Sequence, residues 1–321
     1  MAAELGHRER VLRAIEHREV DRPPCFFAAE EVVEQRVMGE LGVADRLEII
    51  RHFEADTIQV SVYQDLPELS GVEKLEELEG LEWPSRERVD LEGVARRLEE
   101  AHETGLAVMG GAWATIFTMP RRKMGEAKFL MAMLDEPELI AGVVWKVAEG
   151  YLDINEAVFS RCAKWVDVCY FGSDFGTQDS LFVSRDLIRK FFLPHVKRLA
   201  EQAKGYGLKV MYHTCGAVSE VIPDLIECGV EVLDPVQTAA TGMEPARLAE
   251  LYGGKMAFHG GISTQRTLPH ASPEEVYEVV TRTIEELGPT GYIVGPDQWF
   301  MEDVPLANME AMYAAAREFK V

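Results

Sequence analysis

The sequence is short of basic residues and of cysteine, and it has no long apolar run. Lys and Arg number 33 against 55 Asp and Glu, a formal charge of −22 at pH 7. A surface that acidic repels phosphate backbones and anionic headgroups, so neither nucleic acid nor a membrane is an expected partner. No stretch approaches the roughly 18–20 apolar residues of a membrane span. The opening, charged from Glu4 onward, lacks the apolar core of a signal peptide. The five cysteines, Cys25, Cys162, Cys169, Cys215 and Cys228, are odd in number and irregularly spaced. Reduced thiols in a cytoplasm are therefore expected rather than a disulfide framework. A glycine-rich nucleotide turn is missing as well: Phe26-Phe27-Ala28-Ala29-Glu30-Glu31 follows the first apolar run.

Core-forming residues are plentiful. Hydrophobic residues make up 47% of the 321, charged residues 27%, and no low-complexity tract interrupts them. That composition excludes disorder and fibrous architectures. The length is large for one ordinary domain and usual for one α/β barrel.

Eight short β-branched or aromatic runs alternate with helical stretches. They are Pro23–Ala28, Thr57–Tyr63, Leu106–Ala112, Val166–Gly172, Leu208–His213, Val230–Asp234, Lys255–His259 and Tyr292–Val294. Between Asp135 and Asn155, Leu139, Val143, Val147 and Leu152 fall near one helical face. Ser184 opens a helix that Gly205 and Gly207 close, and Ser272-Pro273-Glu274-Glu275 opens another with a cap, a proline and early acids. Alternating β and α units imply parallel strands with right-handed crossovers. The expected fold is α/β, a (β/α)8 TIM barrel in a single domain, with a helical lead-in over residues 4–18. Residues 67–97 read as an acidic insertion: a lid, or simply a solvated charged face.

In such barrels the chemistry sits just after the strands. The residues to watch are Gln64 and Asp65, Trp113, Asp174 and Gln178, His213 and Cys215, Gln237, His259, and Asp297, Gln298 and Trp299. His213-Thr214-Cys215-Gly216 is the sharpest local pattern. An imidazole and a thiol two residues apart at a strand end point to one side. Both are favoured zinc ligands, and a catalytic zinc usually takes three protein ligands. From the pair alone, a hydrogen-bonded histidine and a buried small cysteine is the simpler reading. His259 precedes Gly260-Gly261 and is either an acid–base group or a strand-end residue.

Tyr212–Gly216 (YHTCG), Ile222–Gly229 (IPDLIECG), Val232–Gln237 (VLDPVQ), Phe258–Gln265 (FHGGISTQ), Gly291–Pro296 (GYIVGP) and Asp303–Met312 (DVPLANMEAM) together resemble the uroporphyrinogen decarboxylase superfamily. So do Arg8–Pro24 and Asp167–Asp179. The resemblance implies the barrel fold and either of two chemistries. One branch decarboxylates uroporphyrinogen without metal. The other moves methyl groups between small donors, corrinoid proteins and coenzyme M, with zinc held by an H-x-C pair and a later cysteine. The decarboxylase branch carries an arginine-rich segment after the first strand, where this sequence has Glu30, Glu31 and Glu34. Those glutamates would repel a polycarboxylate, which bidentate arginine would hold. The methyltransferase branch has a cysteine after the last strand, where this sequence has Gly295-Pro296-Asp297-Gln298-Trp299-Phe300. Asp297 could supply an oxygen ligand instead; Asp174 could be a third or fourth ligand, or could orient substrate.

The first expectation is thus a corrinoid-linked methyltransferase closer to the methyltransferase branch. In it His213 and Cys215 hold zinc, and Asp174 and His259 serve the chemistry. Gln178, Gln237, Asp297 and Gln298 position a small methyl donor, and Trp113 and Trp299 wall the site for a quaternary or methoxylated substrate. No D-x-H-x-x-G cobalamin pattern is present, so the corrinoid would come on a separate protein. The second is a decarboxylase using Arg121, Arg122 and Lys123 to hold carboxylates. The third is a small-molecule binder without chemistry. A homodimer is compatible with all three.

Overall fold

A computed structural model describes residues 4–321. They form seven β-strands with helices between them: β1 Thr57–Val62, β2 Ala107–Ala112, β3 Val168–Gly172, β4 Lys209–His213, β5 Val232–Val236, β6 Ala257–Ile262 and β7 Tyr292–Pro296. The chain gathers into two compact units, neither continuous in sequence. One comprises residues up to Ile58, Glu103–Ala107 and Glu231–Val321; the other comprises Gln59–His102 and Val108–Val230.

The second unit holds β1 to β4, apart from the first residues of β1 and β2. Its strands follow chain order and pair in parallel, with Gly110 opposite Cys169 and Gly172 opposite His213. Strands β2 and β3 are buried along their whole length. Burial on both faces is what near-continuous apolar runs predict for parallel strands covered by helices. The helix Pro137–Cys162 covers this unit with Leu139, Val143, Val147 and Ile154, all buried. Its first-turn proline costs no hydrogen bond, as read from the sequence. The helix expected from Ser184 is broken into Arg185–Phe191 and Leu193–Gly205. Pro194 is the cause, since it cannot donate to the preceding turn.

Segment 67–97 is tied down at several points. Leu69, Val72 and Leu78 are buried, and Trp83 donates from its indole to Leu78 O. Arg86 pairs with Asp153 on the helix Pro137–Cys162. Gly142 and Gly150 of that helix leave room for Leu75 and for the Pro84 backbone, where a Cβ would fall 2.3 Å from a neighbour in each case.

The first unit holds β5, β6 and β7, again in chain order and parallel. Helix Pro273–Leu287 opens with the capping box expected from the sequence. Ser272 Oγ accepts from Glu275 N at 3.3 Å, and Glu275 returns the bond to Ser272 N at 2.8 Å. The first expected strand, residues 23–28, is not a strand. It meets β7 only as isolated parallel bridges, Cys25 to Val294 and Ala29 to Phe300. Phe26 N–H donates to Val294 O, and Val294 N–H donates to Pro24 O. Pro23 and Pro24 have no N–H to give, so the ladder cannot extend.

The lead-in helix His7–Ile15 is anchored by charge. Asp56 is fully buried and accepts from Arg10 Nη1 at 2.6 Å, Arg22 Nη1 at 2.8 Å and Cys25 N at 2.7 Å. Arg10 also grips Asp21 through Nε and Nη2. No described helix is long and apolar enough to cross a membrane.

Candidate metal centre

Strand β4 ends at His213, and the chain continues through Thr214 to Cys215 with strand-like alternation. His213 and Cys215 are half-buried on one side, while Thr214 is fully buried on the other, accepting from Phe175 N at 3.0 Å. Cys215 Sγ lies 3.3 Å from His213 Nε2. Gly216, at φ 89°, then turns the chain in the left-handed region that glycine tolerates.

Asp174 reaches the same point from the end of β3. Its Oδ1 is 3.3 Å from His213 Nε2. The ligand atoms of Asp174, His213 and Cys215 lie within 4.8 Å of one another. Glycine makes this approach possible, because a Cβ on Gly172 would stand 2.0 Å from His213 O. Asp174 is held on its far side by Thr118, whose Oγ1 accepts from Asp174 N at 2.9 Å and donates to Oδ2 at 3.4 Å. Oδ1 is buried and accepts no hydrogen bond. An orphaned carboxylate oxygen beside an imidazole nitrogen and a thiol is a donor set suited to zinc, which takes O, N and S ligands together.

Burial alone would push Asp174 toward its neutral form. The His213 imidazole, 3.3 Å from Oδ1, outweighs it with help from Cys215 and holds the carboxyl below the usual range. The Cys215 thiol is pushed up by burial; His213 opposes that shift and the Asp174 charge adds to it. A cation at this point would reverse the thiol's shift, since a coordinated thiol loses its proton.

A cavity of about 390 Å³ opens beside the ligands. Trp113 stands in its wall, 5.7 Å from the His213 ring and 4.8 Å edge-on from Tyr170. Tyr63, Thr115, Thr118, Met119 and Tyr151 also line it and were not singled out from the sequence, whereas Arg122, in the lining too, was named there only as a carboxylate-holding candidate of the decarboxylase reading. Period-two alternation places Tyr63 one residue past β1, so it could have been named. Nothing in the sequence marks Thr118. Gln64 and Asp65 line the cavity but are engaged: Gln64 exchanges two bonds with the Ser85 backbone, and Asp65 pairs with Lys123 at 2.6 Å. Gln178 is exposed on the turn 177–180 and is not in this lining.

His259, Gln237, Asp297, Gln298 and Trp299 belong to the other unit. His259 is buried, with Nδ1 bonded to Asp234 Oδ1 and Nε2 without a partner. Its ring meets Phe26 edge-on at 4.6 Å. Asp297 is also buried, and its Oδ1 accepts from Thr264 N at 2.8 Å and Thr264 Oγ1 at 2.9 Å. Burial raises its pKa, though those bonds pull the other way. Its carboxylate caps the Thr264 turn, and it is not in the ligand cluster. Gln237 is buried, Gln298 is half-buried and Trp299 is exposed.

A family model for uroporphyrinogen decarboxylase (URO-D) matches residues 52–319. The chain belongs to the uroporphyrinogen decarboxylase family. No curated protein matches it in sequence. Among solved structures, a methyltransferase from Methanosarcina mazei is similar at TM-score 0.70 and 17% identity, covering 98% of this chain and 99% of that one. The two share a fold. A B12-independent methionine synthase from Shewanella sp. W3-18-1, solved in complex with selenomethionine, is similar at TM-score 0.47 and 14% identity over 68% and 65% of the chains. The IOLI protein, solved with a binding zinc atom, is similar at TM-score 0.44 and 14% identity over 92% and 95%.

Proposed function

We propose that this member of the family is a methyltransferase of the corrinoid-linked kind, in the methyltransferase-like branch. The observation that carries the reading is the convergence of Asp174 Oδ1, His213 Nε2 and Cys215 Sγ beside a cavity. In this reading Asp174, after β3, takes the place of the cysteine that the methyltransferase branch carries after its last strand. Zinc held by these three residues would act as a Lewis acid on a methyl-bearing or methyl-accepting heteroatom. The residues themselves have separate tasks. Thr118 fixes the Asp174 carboxyl so that one oxygen stays available. Trp113 stands tilted beside His213 and limits how far its imidazole can swing. The cavity wall orients the substrate and excludes water from its apolar side. A corrinoid protein is the proposed methyl partner. The finer fold proposal is a closed (β/α)8 barrel in one domain. Its support is the parallel bridging of Cys25 and Ala29 to the β7 region and the fold shared with the methyltransferase.

The decarboxylase alternative has less support. It needs cations for several carboxylates, and of the three adjacent basic residues two are engaged. Arg121 is buried against Phe182 and Glu126, and Lys123 is paired with Asp65.

The test is metal content followed by transfer. Protein reloaded after chelation should hold about one zinc per chain. Asp174→Asn and Cys215→Ser should each lower that occupancy and abolish methyl transfer to free reduced cobalamin. Full transfer by a zinc-free Cys215→Ser protein would overturn the proposal.

A further inference from the structure

We infer that the cavity beside Asp174 and His213 receives a small aromatic carboxylate, its ring on Trp113 and Tyr63 and its anionic end on Arg122. The inference deepens the methyl-transfer reading. It rests on that reading only for which end of the ligand reaches the metal ligands.

The argument begins with which lining groups have work to do already. Gln64 is spent on Ser85 and Asp65 on Lys123, so the acid at the mouth is neutralised. Ser173 Oγ accepts from Phe117 N. Besides the ligand residue Asp174, one charged side chain of the lining stands apart. Arg122 is exposed and, among the described residues, makes no hydrogen bond or ion pair. An unpaired guanidinium on a chain of charge −22 attracts an anion, and its planar fork fits a carboxylate.

Between Arg122 and the ligand residues the wall is aromatic and sulfur-bearing. Tyr63 and Trp113 stand 6.4 Å apart at 42° to one another, with Met119 and Tyr151 also lining the space. Tyr63 is 61% exposed, an unusual position for a tyrosine, yet its hydroxyl is held by Gln59 Nε2 at 3.1 Å. A held, exposed ring next to a half-buried indole presents π surface to whatever enters. The volume suits a single substituted ring at the small end of the usual range for ligand sites. A quaternary ammonium would also favour aromatic walls. It would have to approach past unpaired Arg122, with Asp65 already occupied by Lys123, and that decides for the anion.

The experiment is calorimetric titration of the full chain, stripped of metal, with para-methoxybenzoate. Three probes are compared with it: anisole, methoxypropionate and para-methoxyphenyl-trimethylammonium. The benzoate should bind about tenfold more tightly than each, a difference of about 1.4 kcal/mol. Arg122→Gln should remove the advantage over anisole and leave anisole itself unchanged. Trp113→Leu should weaken the benzoate and anisole together. Tightest binding by the ammonium probe, equal binding of methoxypropionate, or an Arg122→Gln protein that keeps the full benzoate affinity would each overturn the inference. Because the measurement uses no metal and no methyl transfer, its failure is separate from failure of the function proposed above.

Discussion

Thr118 and Asp174 form a reciprocal pair: the threonine hydroxyl accepts from the aspartate's backbone N–H at 2.9 Å and donates to its Oδ2 at 3.4 Å. Partners of this kind orient a metal-binding carboxylate, and losing one typically costs about 10–100-fold in metal affinity. Thr118→Val should therefore weaken zinc binding by about that factor, measured by competition with a chromophoric chelator. Thr118→Ser keeps the hydroxyl and should restore most of it. Equal affinity in all three proteins would show that Asp174 needs no such support.

Gly172 is the second point of control. A methyl group there would meet the His213 backbone at 2.0 Å from O and 2.5 Å from N, which cannot move without shifting β4. Gly172→Ala should destabilise the protein by roughly 1–3 kcal/mol, the usual range for overpacking. Zinc affinity should fall with it. Thermal unfolding and the chelator assay read the two effects, and an unchanged midpoint would refute the packing argument.

Acid should unfold the protein through its lead-in network. Burial would raise the Asp56 pKa, but His7, Arg22 and Arg10 more than offset it, and the carboxyl sits below its ordinary value. Burial opposes the charge of Asp21 as well, but Arg10 and the backbone N–H groups of Leu5 and Arg22 outweigh it, and this carboxyl is also lowered. A depressed carboxylate stabilises the fold above its unfolded pKa, and that contribution is lost as pH falls through the folded value. Urea midpoints should thus hold steady down to about pH 4 and drop steeply below it. Asp56→Asn, which strands two buried guanidinium groups, should cost about 3–5 kcal/mol at neutral pH and flatten the acid decline.

Gly295 makes room for His259: a Cβ there would fall 2.4 Å from Nε2. Gly295→Ala should turn the imidazole, break its bond to Asp234 and lower the unfolding midpoint. Zinc occupancy should stay near one per chain, because the proposed ligands are Asp174, His213 and Cys215. Loss of zinc in a folded Gly295→Ala protein would mean that His259 takes part in the centre.

Much of this was legible in the order of residues. Seven of the eight apolar runs became strands because each is short, β-branched and bounded by helix signals. The eighth failed for a local reason, the absent N–H groups of Pro23 and Pro24. His213 and Cys215 were readable because strand alternation fixes their common side. Asp174 was on view as a strand-end acid, but its role depends on Gly172 bringing β3 and β4 together, and no spacing rule encodes that. Thr118 was invisible: it precedes Asp174 by fifty-six positions, and a lone threonine at a helix start has many ordinary uses. The burial of Arg121 and the freedom of Arg122 likewise came from packing, since adjacent basic residues look alike in a sequence.

The interleaving of the first unit has a consequence for how the chain emerges during synthesis. Phe26 leaves the ribosome early, yet the carbonyl that its N–H bonds to belongs to Val294. Nearly the whole polypeptide must be made before that opening segment can settle, so a nascent chain halted after residue 230 should expose Phe26 and Phe27 to chaperones and proteases.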